Sequence, residues 1–392
     1  MAELILNVRI RLVQSPRLST TQPAESPWQQ ERLYFDNTDY FAGLLADITA
    51  ASEEILLESY IFSLDKVGTP VLAALAEAAQ RGLRVRILID GLGSSDDAAT
   101  IAIQLNTAGA ELRIFHPLPW NFAAYRWSMR RRNVLTRFWR FVTQVNHRNH
   151  RKLCCIDGRI AWLGSFNITE GRVEAHPVGR HETGVRLTGS GVELLRQDFF
   201  QVWQHKQKRA RARIASILSN HSRSYRKRKN RELLRLVREA RSRIWITNAY
   251  FSPSVIITNA LKAAVRRGVD VQVIVPSRSD FHFFPALTRT FYADLLAAGV
   301  KIYEYSELIL HSKTMLIDQQ LIVGSTNLNY RSFFHDLELD AILSQPATIQ
   351  TMENKFCEDV SHSDQITLHR MHHFPRTALW FGWLSRTLRY WF

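Results

Sequence analysis

One short string is written twice in this chain, and the repetition narrows the folds open to it. His150, Lys152 and Asp157 recur with the same internal spacing as His311, Lys313 and Asp318, 161 residues later. Gly164, Ser165 and Asn167 follow the first copy; Gly324, Ser325 and Asn327 follow the second. The flanks repeat too. Ile55 to Phe62 is a β-prone run, the helical spacing of Val71, Leu72, Leu75, Ala78 and Ala79 stops at Arg81-Gly82, and Val85 to Ile89 makes another strand. Ile244 to Phe251, Ile256 through Val265, Arg267-Gly268 and Val271 to Val275 restate that order. Glycine just past the last helical turn is the usual left-handed cap. Strand, helix and strand in succession imply parallel pairing by a right-handed crossover. The expected fold class is α/β: two α/β domains in an internal pseudo-twofold repeat, each a mixed β-sheet flanked by helices.

The bulk numbers agree. A chain of 392 residues, 46% of them apolar, has room for two domains with separate cores and is not a disordered composition. Its formal net charge of +15 calls for an anionic partner, either nucleic acid or an anionic membrane surface. Three cysteines, two of them the adjacent Cys154 and Cys155, are too few for a disulfide scaffold and suit a reducing compartment. No apolar run reaches the roughly 18 to 20 residues that span a bilayer. Arg9 and Arg11 interrupt the short apolar stretch at the start, which makes a poor signal peptide.

The repeated residue types fit chemistry at a phosphodiester. Alternation along a strand puts His150 and Lys152 on one face, and likewise His311 and Lys313, with Arg151 and Ser312 turned away. Asp157-Gly158 is a hairpin signal, and folding about it brings Ser165 roughly opposite His150 and Asn167 near the imidazole. The second copy is one residue shorter before its glycine and has Gln319 in place of the turn glycine, so a different turn is expected. Two ammoniums and two carboxamides can bind the non-bridging oxygens as charge builds. One imidazole can attack phosphorus while the other protonates the leaving alcohol, a pairing open to histidine near neutral pH. The candidate catalytic set is His150, Lys152, Asp157, His311, Lys313 and Asp318, with the two aspartates better suited to holding the turns. Ser165, Asn167, Ser325 and Asn327 are candidates for binding and orienting the phosphate. No cofactor and no metal are called for. His147 faces away from His150 in a strand, which argues against a metal pair.

These residues resemble the paired signature of the phospholipase D superfamily. Similarity to its bacterial cardiolipin synthases runs from about Leu33 to Glu358. It includes Leu57-Glu58-Ser59-Tyr60, Gln80-Arg81-Gly82, Asn248-Ala249-Tyr250-Phe251, Gly324-Ser325-Thr326-Asn327 and Tyr330-Arg331-Ser332. The resemblance implies a carboxylate downstream of each motif that orients a catalytic histidine; the matching positions are Glu182 and Glu338. Glu182 departs from the aspartate that such synthases often carry. The implied activity is phosphatidyl transfer from phosphatidylglycerol to the hydroxyl of a second lipid, through a phosphohistidine on His150, giving cardiolipin. A phospholipase D hydrolase, a metal-independent nuclease of the same superfamily and a non-enzymatic binding module are the alternatives. Implied partners are anionic phospholipids (phosphatidylglycerol and cardiolipin) and a membrane surface, with nucleic acid disfavoured and no obligatory protein partner. The implied location is peripheral, on the cytoplasmic face of the bacterial inner membrane.

The expected layout is an N-terminal extension at 1–30, a first phospholipase D-like domain at 31–205, a basic linker at 206–230, a second such domain at 231–360 and an amphipathic aromatic tail at 361–392. In that tail Trp380, Phe381, Trp383, Leu384, Leu388, Tyr390, Trp391 and Phe392 form a wide apolar arc against Ser385, Arg386 and Arg389, the pattern of a helix in a bilayer interface. Residues 121–141 interleave aromatics and arginines in the same way, a mixture suited to an anionic leaflet or to single-stranded nucleic acid.

Overall fold

The computed structural model describes residues 26–117, 147–170, 179–204 and 216–371, together with 374, 382 and 384. The first half contributes β1 (Gln30–Tyr34), β2 (Glu54–Ser59), β3 (Arg84–Asp90), β4 (Glu111–Phe115), β5 (Leu153–Ile156), β6 (Ile160–Gly164), β7 (Arg180–His181) and β8 (Gly184–Thr188). The second contributes β9 (Ile217–Ser219), β10 (Arg243–Asn248), β11 (Asp270–Pro276), β12 (Lys301–Tyr305), β13 (Ile309–Leu310), β14 (Lys313–Ile317), β15 (Gln320–Gly324), β16 (Leu339–Leu343) and β17 (Ser363–Ile366).

The two large sheets share a six-strand plan, β4-β3-β2-β5-β6-β8 in the first and β12-β11-β10-β14-β15-β16 in the second. In each, the three strands joined by helices run parallel, and the hairpin strands that follow run antiparallel to them and to each other. The expected crossovers are present as the helices Gly68–Gln80 and Val255–Arg266; the first buries its whole stripe, whereas the second buries Leu261 and Ala264 with Ile257 and leaves Ile256 exposed.

Each half has its own core on the outer, helix-covered face of its sheet. A third core lies between the sheets, where Leu153, Leu163 and Val185 of one half meet Leu316, Leu321 and Leu339 of the other. Strand alternation sends Cys154 to the first half's own core and Cys155 to the shared one, so these neighbours face opposite ways; all three cysteines are free.

Three boundaries expected from the sequence move. The end of the 1–30 extension is integral: Trp28 is buried in the shared core, its indole N–H donates to the Ile342 carbonyl at 2.9 Å, and Gln30 opens β1 on the edge of the first sheet. Much of the 206–230 linker belongs to the second half. β9 pairs with β16, and Leu233, Leu236 and Val237 of the helix Arg223–Glu239 enter the second core. Arginine and lysine dominate that helix so heavily that its narrow apolar stripe was hidden. The 361–392 tail starts late, because Ser363–Ile366 is β17, paired to β12. The aromatic tail beyond it lies outside the described residues apart from Phe374, Gly382 and Leu384, and the segment 121–141 lies outside them entirely. No helix among the described residues is long and apolar enough to cross a membrane.

Candidate active site

Each motif leads into the first strand of a hairpin, and the hairpin turn sets what the motif can reach. In the first copy Leu153 pairs with Leu163 and Ile156 with Ile160, leaving a three-residue loop of Asp157, Gly158 and Arg159. In the second, Ile317 pairs with Gln320 across Asp318 and Gln319 alone. The one-residue difference between copies is therefore absorbed in the turn. Extending either register puts the signature serine across from the motif's middle residue, Ser165 from Arg151 and Ser325 from Ser312. The expected placement opposite His150 is thus off by one.

Asp157 and Asp318 begin the turns with φ of 52° and 51°, a left-handed conformation that aspartate tolerates. Their carboxylates face the start of the neighbouring central strand. Asp157 accepts from the amides of Ser52, Glu53 and Glu54 and from the Ser52 hydroxyl at 2.8 to 2.9 Å. Asp318 makes the matching set with Arg241, Ser242 and Arg243. Grouping these aspartates with the catalytic residues is corrected here: they anchor the hairpins at the end of the sheet away from the histidines.

At the other end, the chain just before each strand crosses to the opposite half. The His150 amide donates to the Leu337 carbonyl at 3.0 Å, and the His311 amide donates to the His181 carbonyl at 2.8 Å. The short parallel pair β7 and β13 continues the second contact. Leu337 and His181 each precede a glutamate, so the crossing delivers each motif histidine to the other half's carboxylate. His150 Nδ1 lies 3.2 Å from Glu338, and His311 Nδ1 lies 2.8 and 2.9 Å from the two oxygens of Glu182. With Nδ1–H donated to a carboxylate, Nε2 is left as the acceptor on both rings.

The signature glycines and serines support the carboxylates rather than a phosphate. A Cβ at Gly164 would lie 2.4 Å from the Thr183 carbonyl, and one at Gly324 would lie 2.3 Å from an Asp340 carboxylate oxygen, so only glycine admits this approach. The approach lets the Ser165 hydroxyl accept from the Thr183 amide at 2.9 Å and donate to the Thr183 carbonyl at 3.2 Å, next to Glu182, whose carboxyl it helps to lower. Ser325 accepts from the Leu339 amide at 3.0 Å and donates to Glu338, which also accepts from Ser332. Asn167 Oδ1 accepts from the Ile61 amide at 3.3 Å, while Asn327 is buried and its Oδ1 has no partner among the described residues.

Lys152 and Lys313 are both buried, and each donates to the carbonyl of its own motif histidine, Lys152 at 2.7 Å. Burial and then the Lys313 charge bring Lys152 down to about 7, against the pull of Glu338 and Glu182. Burial brings Lys313 down to about 8, with the same two glutamates opposing. Burial and Lys152 lower His150, opposed by Glu338. Burial, Lys313 and Arg180 hold His311 well below the usual imidazole range. Burial raises Glu182 despite Lys313 and Arg180. Glu338 is held at about 2 because His150, Lys229 and the Ser325 hydroxyl together outweigh its burial. Two buried lysines beside two imidazoles whose burial disfavours their charged forms make a site that one anion would relax.

Sequence reasoning gave no role to a second symmetric pair. The Tyr60 ring lies 5.0 Å from His150 and 5.4 Å from the Lys152 ammonium. The Tyr250 ring lies 6.2 Å from His311 and 5.8 Å from the Lys313 ammonium. Their recurrence at the ends of β2 and β10 was the available signal. Behind them stand two ion pairs, Arg180 with the distant Asp280 at 3.2 Å and Arg331 with Asp336, five residues on, at 2.8 Å.

Twin mixed sheets with paired motifs meeting across a pseudo-dyad define a phospholipase D-like protein. The family model described as "Cardiolipin synthase, PLD-like domain" matches residues 44–203 and 233–360, and the chain belongs to that family. A cardiolipin synthase of Halalkalibacterium halodurans is 29% identical over 90% of this chain and 70% of its own length. One of Listeria innocua is 28% identical over 89% and 72%. Among solved structures, a phosphatidylserine synthase of Haemophilus influenzae aligns with a TM-score of 0.64 at 13% identity, covering 92% of this chain and 93% of that one. A polyphosphate kinase of Porphyromonas gingivalis aligns at 0.57 and 14% identity, covering 83% and 50%. At such identities the structural likeness speaks for the fold alone.

Proposed function

We propose that this site moves a phosphatidyl group from phosphatidylglycerol to the hydroxyl of a second lipid, giving cardiolipin. The observation that carries the reading is the crossed arrangement of two His–Glu pairs around two buried lysines, in a chain whose relatives are named cardiolipin synthases. The phosphodiester monoanion sits between Lys152 and Lys313, its non-bridging oxygens taking ammonium protons and the Asn167 and Asn327 amides. Its charge offsets the two cations and lifts the proton affinity of the imidazoles, so that His311 takes up a proton from solvent at Nε2 before the chemical step.

His150 Nε2 then attacks phosphorus. The N–P bond forms as the bond to the glycerol oxygen breaks, and His311 Nε2 gives that oxygen its proton. Glycerol departs. The hydroxyl of the second lipid returns a proton to His311 and attacks phosphorus, and the N–P bond breaks. Charge on the equatorial oxygens peaks in both transition states, where the fixed lysines stabilise it most. One phosphodiester replaces another, so no nucleotide is consumed. The protein works peripherally at the cytoplasmic face of the inner membrane.

Incubation of the purified protein with phosphatidylglycerol vesicles, followed by mass spectrometry, tests this. Cardiolipin with an equal amount of glycerol is expected. Phosphatidic acid as the sole product would make the protein a hydrolase. Cleavage of single-stranded DNA with no lipid turnover would make it a nuclease.

A further inference from the structure

Eight large apolar side chains stand exposed among the described residues: Leu92, Ile103, Val255, Ile256, Phe281, Phe334, Leu368 and Leu384. Five of them sit around the candidate site. Leu92 follows β3, its amide bonded to Asp90, whose other oxygen accepts from Asn149 beside His150. Val255 and Ile256 open the helix that follows β10 and Tyr250. The Phe281 ring lies 5.6 Å from that of Tyr250, and the Phe281 amide shares Asp280 with the Tyr250 hydroxyl. Phe334 closes the short helix Tyr330–Phe334, whose Arg331 pairs with Asp336. All five lie on loops or helix ends that follow β3, β10, β11 and β15, at the strand ends that carry the two motif histidines. Exposed apolar residues scattered singly are ordinary, whereas five of the eight gathered at one end of the paired sheets form a candidate docking surface.

Cations flank the ring. Arg278 is exposed in the loop that carries Phe281. Arg223 and Lys227 are exposed on the helix whose Arg226 donates to the Phe334, His335 and Asp336 carbonyls. Arg278, Arg223 and Lys227 have no ion-pair partner among the described residues. Aromatic and aliphatic tips framed by unpaired cations suit the headgroup layer of an anionic bilayer, apolar groups inserted and cations against phosphates. We infer that this rim seats the protein on a membrane with its mouth facing the lipid, so that a headgroup enters without its acyl chains leaving the bilayer. The inference rests on the lipid reading of the site and assigns the surface by which it meets its substrate.

The test is binding of the whole chain to vesicles of phosphatidylcholine with and without phosphatidylglycerol, read by co-sedimentation. Phe281→Ser combined with Phe334→Ser weakens binding to both vesicle types by about tenfold or more. Arg278→Ser combined with Lys227→Ser weakens it only where phosphatidylglycerol is present, and high salt erases that difference. Ile103→Ser, at a side chain more exposed than either phenylalanine but off the rim, leaves binding unchanged. Thermal unfolding confirms that the variants are folded. Unchanged affinity in the Phe281/Phe334 variant overturns the proposal, as does an equal loss in Ile103→Ser, or loss of single-stranded DNA binding in its place. Binding is read without turnover. Intact docking with no lipid transfer would therefore refute the proposed reaction and leave this surface standing.

Discussion

The two halves share a strand plan yet give their histidines unequal surroundings. His150 is 12% exposed and meets one oxygen of a carboxylate held firmly ionised, with Lys229 behind it. His311 is 4% exposed and meets both oxygens of a carboxylate that burial pushes up. The middle residues of the motifs differ as well. Arg151 is fully buried against Glu58 at 2.8 Å and Asp198 at 2.7 Å, whereas Ser312 shares a hydrogen bond with the Thr183 hydroxyl at 2.6 Å. Duplicated backbone fixes where the groups sit, and the local dielectric and neighbouring charges then separate their tasks. The more accessible imidazole on the firmly charged carboxylate suits attack. The deeper one suits proton transfer.

The largest expected effect tests that division. His150→Ala and His311→Ala should each cut lipid transfer by about a thousandfold or more. Acid-quenched reactions with labelled lipid should show phosphoprotein in His311→Ala but none in His150→Ala. The reverse would exchange the roles.

Next come the crossed carboxylates. Glu338→Gln should lower kcat/KM by about a hundredfold and Glu182→Gln by about tenfold, since only Glu338 is held strongly ionised. Equal losses would remove the asymmetry.

A smaller effect is the basic limb of the pH profile. Lys152 and Lys313, brought to about 7 and about 8, carry their protons below those values and lose them above. kcat/KM should therefore fall as pH rises through 7 to 8. kcat should fall later, because bound phosphate raises both groups. Lys152→Arg, which keeps its charge, should flatten the limb.

The smallest effect on chemistry belongs to the turns. Asp157→Ala and Asp318→Ala should each cost about 1–3 kcal/mol of stability, read as a lowered Tm. Activity per folded molecule should change little. A catalytic loss in either variant at temperatures where it is fully folded would return that aspartate to the chemistry.

Much of this was legible beforehand. Helical and strand periods located the repeated units, because side-chain burial follows backbone geometry over a few residues. The Asp-Gly turn was visible, although its three-residue loop and the one-step shift in register were not, since two hairpin closures share one sequence signal. Ser165 and Ser325 looked like phosphate ligands because a hydroxyl serves either role; only the Gly164 and Gly324 contacts turn them toward Glu182 and Glu338. The first turns of Arg223–Glu239 read as linker because they carry a run of cations, and the buried Leu233, Leu236 and Val237 come only later in the helix.

By itself the sequence determined that two like units exist, which residues could handle a phosphodiester, and which strand face they occupy. Those properties depend on chemistry and spacing within a short stretch. The tertiary structure alone decided that His150 answers to Glu338 and His311 to Glu182, and that both lysines are buried, with the Lys313 charge weakening the hold of Lys152 on its proton. Contacts between residues over a hundred positions apart, and the field inside a buried cleft, arise only when the two sheets close on their common core.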